Sequence, residues 1–253
     1  AAIIVWYLCR FKTAPLSLSH FRPKLSVTGF VAKLGTANFF NQIAMMIVQI
    51  VMNKSLTYYG SQSVYGESIP LACAGIITKV GMVFFSICIG LSQGMQPIVS
   101  FNYGAGNYKK VKQAYRLAAG IGTIISVIAF FAFQIFPRQL IGIFGSSQNE
   151  AYYTFAVRYF RIYMFFTFLN AIQPISSNFF TAIGKPGKGI FLSLTRQIIF
   201  LLPLIVIFPL FLGVDGIMYA GPIADFIAAM VSMILIYKEF GKINKLEEAT
   251  CES

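Results

Sequence analysis

An all-α integral membrane protein built as a bundle of six transmembrane helices is the fold class this sequence predicts. Three observations predict it. Long intervals nearly free of charge recur along the chain: Leu34–Asn53, Val80–Tyr108, Leu117–Pro137, Ile162–Gly184, Gln197–Val214 and Gly216–Tyr237, the last interrupted only by Asp225. The composition is 57% hydrophobic and 11% charged, with a mean hydropathy of +0.72, against about 25% charged residues in soluble domains. The Lys and Arg residues gather between the apolar intervals. A bilayer core holds no water, so each backbone N–H and C=O needs a partner inside its own segment, and a run of about 20 apolar residues spans as a helix.

The chain opens on Ala1–Cys9, apolar but too short to span. It lacks the basic start and small-residue cleavage site of a signal peptide. The expectation is the end of a helix whose beginning lies outside this sequence, followed by a polar linker over residues 10–29, a six-helix lobe over residues 30–240 and a tail over residues 241–253.

The loops alternate in charge. Arg10, Lys12, Arg22 and Lys24 lie in the linker, whereas Ser61–Glu67 after the first full span holds no Lys or Arg. Lys109, Lys110, Lys112 and Arg116 follow the second span; the next loop has only Arg138. Lys185 and Lys188 follow the fourth span, Gly213–Gly216 carries only Asp215, and Lys238, Lys242 and Lys245 close the chain. The positive-inside rule makes the linker, the second and fourth loops and the tail cytoplasmic, with six crossings. The net charge of +12 is thus a topology signal. Nucleic-acid binding would need the basic residues on one exposed face. Arg158 and Arg161, at the start of the fourth span, read as side chains snorkelling to the outer interface.

Cys9, Cys73, Cys88 and Cys251 show no metal or disulfide spacing and read as free thiols; His20 has no partners nearby. No cofactor is expected. Gly90, Gly94, Pro97, Pro174, Pro203, Pro209 and Pro222 fall within spans, where small residues allow close approach and Pro loosens the backbone. A simple anchor has no need of them.

Polar residues at helical spacing mark an interior or water-lined face of a membrane helix. Asn38, Gln42, Met45 and Gln49 form one stripe; Lys79, Met82, Ser86, Gly90, Gln93 and Pro97 form a second. Asn170, Gln173, Ser177 and Thr181 form a third, and Met218, Pro222, Asp225, Ala229 and Ser232 a fourth. Convergence on a shared cavity is the expectation; the alternative is hydrogen bonding between helices, at about 0.6 kcal/mol each. Lys79 and Asp225 lie well inside spans, where each costs about 2.5–3.5 kcal/mol unless partnered or wet. Asp225 is either a proton- or cation-linked carboxylate or one satisfied by Lys79, Arg196 or a loosened turn near Gly221–Pro222. Lys79 belongs to the cavity or to a structural pair. Arg196 reads as a snorkelling anchor.

Enzyme signals are absent: no paired-carboxylate motif, no His/Glu metal helix and no Gly-x-Ser-x-Gly elbow occur. Gly104–Gly106 lacks the Gly-Lys-Ser/Thr of a phosphate loop.

Three segments carry a family likeness. Gln96-Pro-Ile-Val-Ser-Phe-Asn-Tyr-Gly-Ala-Gly-Asn-Tyr108, followed by the basic start Lys109–Arg116, resembles the loop after the eighth helix of multidrug and toxic compound extrusion (MATE) transporters. Thr181-Ala-Ile-Gly-Lys-Pro-Gly187 with Leu194-Thr-Arg-Gln197 resembles that family's junction of helices ten and eleven. Gly213-Val-Asp-Gly-Ile217 with Gly221-Pro-Ile-Ala-Asp225 is similar to its junction of helices eleven and twelve. The likeness covers Phe30–Tyr237 and points to the MepA-like bacterial branch.

The resemblance implies the C-terminal lobe of a twelve-helix transporter whose two six-helix lobes rock around a central site. It implies a cell-membrane location, export of cationic amphipathic compounds and antiport with Na⁺ or H⁺. Its partners would be the N-terminal lobe, membrane lipid and small-molecule drugs, with no nucleic acid. An amide-, Met- and Phe-lined cavity suits flat cations. Some members place carboxylates in the seventh and tenth helices; Phe30–Tyr59 and Ala151–Thr181 contain neither Asp nor Glu. The sequence also admits a lipid-linked oligosaccharide flippase, which favours a strongly cationic cavity, and a non-transporting membrane scaffold.

Overall fold

The computed structural model describes residues 25–144 and 150–251. The expected helix stub, most of the linker, Cys9 and His20 lie outside the described residues. The helices are α1 (Leu25–Ser61), α2 (Ser68–Gly104), α3 (Tyr108–Ile135), α4 (Pro137–Phe144), α5 (Glu150–Tyr163), α6 (Ile172–Ala182), α7 (Pro186–Leu194), α8 (Leu202–Leu212) and α9 (Val214–Cys251). A 3₁₀ turn occupies Thr167–Leu169 and a π-helical stretch Thr195–Leu201. No strand occurs among the described residues. The chain divides into two compact units, Ala1–Phe40 and Asn41–Ser253. The described part of the first is the opening of α1; the second holds the rest of α1 and all later elements.

Ser68–Gly104, Tyr108–Ile135, Pro186–Leu212 and Val214–Glu248 are each long and apolar enough to cross a membrane. The 37 residues of α2 measure about 55 Å at 1.5 Å per residue, well beyond a hydrocarbon core of about 30 Å. The fourth expected span is not one helix. α5 stops at Tyr163, the 3₁₀ turn follows, and α6 starts at Ile172. Pro174 sits in the first turn of α6, where no intrahelical donor is needed, and its ring forbids the preceding turn from continuing as α-helix. The final helix is longer than its apolar run. It continues to Cys251, with Glu239 and, within the expected tail, Ile243 buried.

Short turns join antiparallel neighbours. Gly184, at φ +76°, ends α6 and leads through Lys185 to Pro186, the first residue of α7. Gly213, at φ +59° and ψ −138°, reverses the chain between α8 and α9, a region open to glycine alone. A Cβ on Gly216 would lie 2.5 Å from the Phe208 carbonyl carbon, so the two helices leave that turn in backbone contact.

The core is largely aromatic. Tyr115 of α3 meets Phe179 of α6 and Phe240 of α9 at centroid separations of 5.0 and 5.3 Å, edge to face. Its hydroxyl is 2.9 Å from Ser176 Oγ. Phe133 bridges Phe84 and Phe160. Such T-shaped pairs add about 0.5–1.5 kcal/mol beyond their burial. Cys73 and Cys88 are buried free thiols.

Apart from one interior pair, the ion pairs among the described residues sort to the two ends of the bundle. At the end where α3 and α7 begin, Lys112 bonds Glu247 at 2.6 Å and Asn244 at 2.8 Å. There Lys185 and Lys188 both bond Glu239, whose side chain is only 1% exposed. At the other end Arg138 pairs with Glu150 and Arg158 with Asp215. Arg158, expected to snorkel, has a carboxylate partner in the first turn of α9.

Candidate functional site

Two irregular backbone segments and the proline-bearing helix α9 meet at one buried carboxylate. Asp225 lies three residues after Pro222 in α9 and is 5% exposed. Arg196, in the π-helical stretch, donates from Nε to Asp225 Oδ1 at 2.6 Å. Asn170, closing the 3₁₀ turn, donates from Nδ2 to Asp225 Oδ2 at 2.9 Å. The Arg196 guanidinium also lies 5.3 Å from the centre of the Phe85 ring of α2. Both carboxylate oxygens thus have a donor.

The local sequence explains why these positions converge. Pro174 and Pro203 lack the N–H that would bond the carbonyls of Asn170 and Ile199. The chain answers with a 3₁₀ turn before the first and a widened π turn before the second. Leu202 N–H accordingly bonds Gln197 C=O, five residues back. The widened turn carries Arg196 toward α9. Close approach is required there as well, because a Cβ on Gly221 would fall 2.4 Å from the Tyr163 ring.

Arg196 was expected to be a snorkelling anchor. It is instead an interior partner, its side chain 17% exposed. An internal carboxylate within reach outweighs the pull of the interface, since an unpaired acid there costs several kcal/mol. Of the partners the sequence admits for Asp225, namely Lys79, Arg196 or a loosened turn, the structure selects Arg196, while Lys79 is exposed on α2.

The residues expected to form a shared cavity fall into two groups. Gln42, Met45, Gln49, Lys79 and Met82 are exposed on α1 and α2, with Gln49 donating to Asn53 at 3.1 Å. Asn38 belongs to α1, and its side chain lies outside those described. Asn170, Gln173, Ser177 and Asp225 turn inward and bond between elements. Gln173 donates to the Leu192 carbonyl at 3.4 Å, and Ser177 donates to the Gly189 carbonyl at 2.8 Å. Asn178, absent from the predicted stripes, donates to Ser92 of α2 at 2.7 Å. The Lys185–Glu239–Lys188 clamp was also missed. Its only signal in the sequence is one acid among the lysines that close the last apolar run.

No group of His, Cys, Asp and Glu able to hold a metal ion occurs among the described residues. The MatE family model matches residues 37–207, more than half of the chain. This chain belongs to the MatE family. Among curated relatives, the multidrug export protein MepA of Staphylococcus saprophyticus subsp. saprophyticus is 25% identical over 236 residues, covering 92% of this chain and 49% of that protein. MepA of Staphylococcus aureus (strain bovine RF122 / ET3-1) is 22% identical over 236 residues with the same coverage. The chain therefore spans about half the length of the curated relatives it matches.

Solved structures agree on the MatE fold. A multidrug resistance MATE family transporter of the MOP superfamily, in an outward-facing conformation, superposes with a TM-score of 0.83 at 19% identity. The match covers 96% of this chain and 54% of that one. A MOP superfamily transporter from Pyrococcus furiosus, with a described reverse polarity of its binding pocket, gives 0.82 at 18% identity, covering 96% and 54%. The three sequence segments that carry the family likeness include the turns joining α2 to α3, α6 to α7 and α8 to α9 and run on into the neighbouring helices.

Proposed function

We propose that this MatE chain supplies one six-helix lobe of a secondary transporter that exports cationic amphipathic compounds from the cell. The carrying observation is the family match over residues 37–207. In this reading α1, α2, α3, the broken pair α5–α6, the pair α7–α8 and α9 make the six crossings. The linker and the end of α9 lie in the cytoplasm, as the charge alternation of the loops favours.

A second lobe faces this one, and the two alternate access to a site between them. The exposed Gln42, Met45, Gln49, Lys79 and Met82 contribute amide, thioether and ammonium groups to that site. Adaptable thioethers and amides suit flat apolar cations better than a fixed counter-charge does. Export is driven by exchange for Na⁺ or H⁺, with no organic cofactor. Asp225 has both oxygens partnered, so its role is to tie three helices together, and coupling is carried outside this lobe.

The test is ethidium efflux from cells expressing the complete transporter, with Na⁺ and proton gradients collapsed separately. Efflux lost with one gradient establishes export and identifies the ion. No efflux under any gradient, from protein shown to be in the membrane, overturns the exporter reading in favour of a lipid flippase. The Arg196→Gln/Asp225→Asn double variant tests the site. Gradient-driven efflux should survive in it; loss of efflux from a folded double variant would make Asp225 a coupling group.

A further inference from the structure

Two concavities join on the lobe at the end marked by the Arg138–Glu150 and Arg158–Asp215 pairs. One is a polar cleft of about 690 Å³ lined by Arg138, Arg158 and Arg161 together with Glu150 and Tyr153. The other is an apolar groove of about 310 Å³ walled by Phe165, Phe166, Tyr219 and Ile223. Arg161 and Ile162 line both. We propose that the joined clefts bind one anionic phospholipid, its phosphate on Arg161 and an acyl chain along the aromatic groove.

Charge favours an anion. Arg138 and Arg158 each have a carboxylate partner, whereas the Arg161 guanidinium has none among the described residues. Its backbone carbonyl accepts from Gln134 Nε2 at 3.0 Å. Arg161 is exposed, and three arginines face two carboxylates there. A guanidinium fork matches phosphate oxygens in bidentate geometry.

Depth favours a lipid over a soluble anion. Arg161 stands where the charged loop end gives way to apolar helix, and the next four residues are Ile162, Tyr163, Met164 and Phe165. Phe165 is 49% and Tyr219 38% exposed, both bordering the groove. A headgroup at the arginine therefore leaves its chain beside apolar rings. A cationic amphiphile of the same shape would meet an unpaired positive charge. The proposal rests on no transport activity and on neither orientation of the chain in the membrane.

The experiment follows binding of a fluorescent phosphatidylglycerol to the detergent-purified full chain by polarisation. Unlabelled phosphatidylglycerol, phosphatidylcholine and inorganic phosphate serve as competitors. Phosphatidylglycerol should displace the probe and the other two should not. Arg161→Gln should weaken binding about five- to tenfold, and Arg161→Lys should retain most of it. Phe165→Ala should weaken it by a smaller factor, whereas Lys109→Gln/Lys110→Gln, at the opposite end, should bind like the parent. Parent-like binding by Arg161→Gln overturns the proposal, as does loss of binding in the lysine variant. Displacement by phosphate as effective as that by phosphatidylglycerol makes the cleft a soluble-anion site instead. Parent-like binding by Phe165→Ala removes the acyl-chain half.

Discussion

Asp225 shows how a single residue's partners set its energetics. Hydrogen bonds between membrane helices average about 0.6 kcal/mol, reaching about 1.7, whereas stranding one member of a buried ion pair costs about 3–5 kcal/mol. The Asn170–Asp225 bond is of the first kind and Arg196–Asp225 of the second. Asn170→Ala should therefore lower stability by about 1 kcal/mol, and Arg196→Ala by several times as much. Thermal unfolding of the purified chain in detergent reads both. The double variant Arg196→Gln/Asp225→Asn should recover most of the loss, since no charge is left buried alone. Equal effects of Asn170→Ala and Arg196→Ala would mean that solvent reaches the pair and screens it.

At the scale of elements, the lobe depends on close approach and on charge clamps at its ends. A Cβ on Gly122 of α3 would lie 2.6 Å from Ile175 Cδ1 and 3.1 Å from Ala171 Cβ of the α6 region. Gly122→Ala should destabilise by about 1–3 kcal/mol through overpacking, and Ile175→Val, which removes the colliding methyl, should return part of it. A double-mutant cycle of unfolding midpoints checks the coupling; simple additivity would show that the helices separate freely. At the opposite end of α6, Glu239 is buried while Lys185 and Lys188 are 37% and 38% exposed. Water compensates the lysines far better than the acid. Lys185→Gln/Lys188→Gln, which strands a buried carboxylate, should therefore cost more than Glu239→Gln, by about 2 kcal/mol. The reverse ranking of melting temperatures would place Glu239 in a wetter site than its burial indicates.

For the whole molecule, the proposed function gives the exposed polar positions on α1 and α2 a role in a site that a second lobe completes. Alternating access needs two bodies around a site, and this chain spans about half of its curated relatives, 49% of MepA in the matches given above. Residues 1–253 reconstituted alone in liposomes should thus show no gradient-driven ethidium movement. Vectorial movement by that chain would overturn the one-lobe reading.

The membrane class, the apolar intervals and the family turns were legible because they depend on composition and on local backbone chemistry. A glycine after α6 and a proline opening α7 act within a few residues of themselves, as do the uncharged runs that must bond internally. Gln42 and Gln49 were likewise placed on one face by the 3.6-residue period alone. What the sequence could not determine is where polar side chains separated along the chain find partners. Asn170, Arg196 and Asp225 occupy three different segments, and Glu239 meets lysines more than 50 residues away in sequence. Only tertiary structure decided that Asn170 reaches Asp225, that Arg196 turns inward and that Glu239 is buried between two lysines. The physical reason is the cost of an unpaired buried charge, which falls wherever packing brings a second helix and is carried by no local pattern.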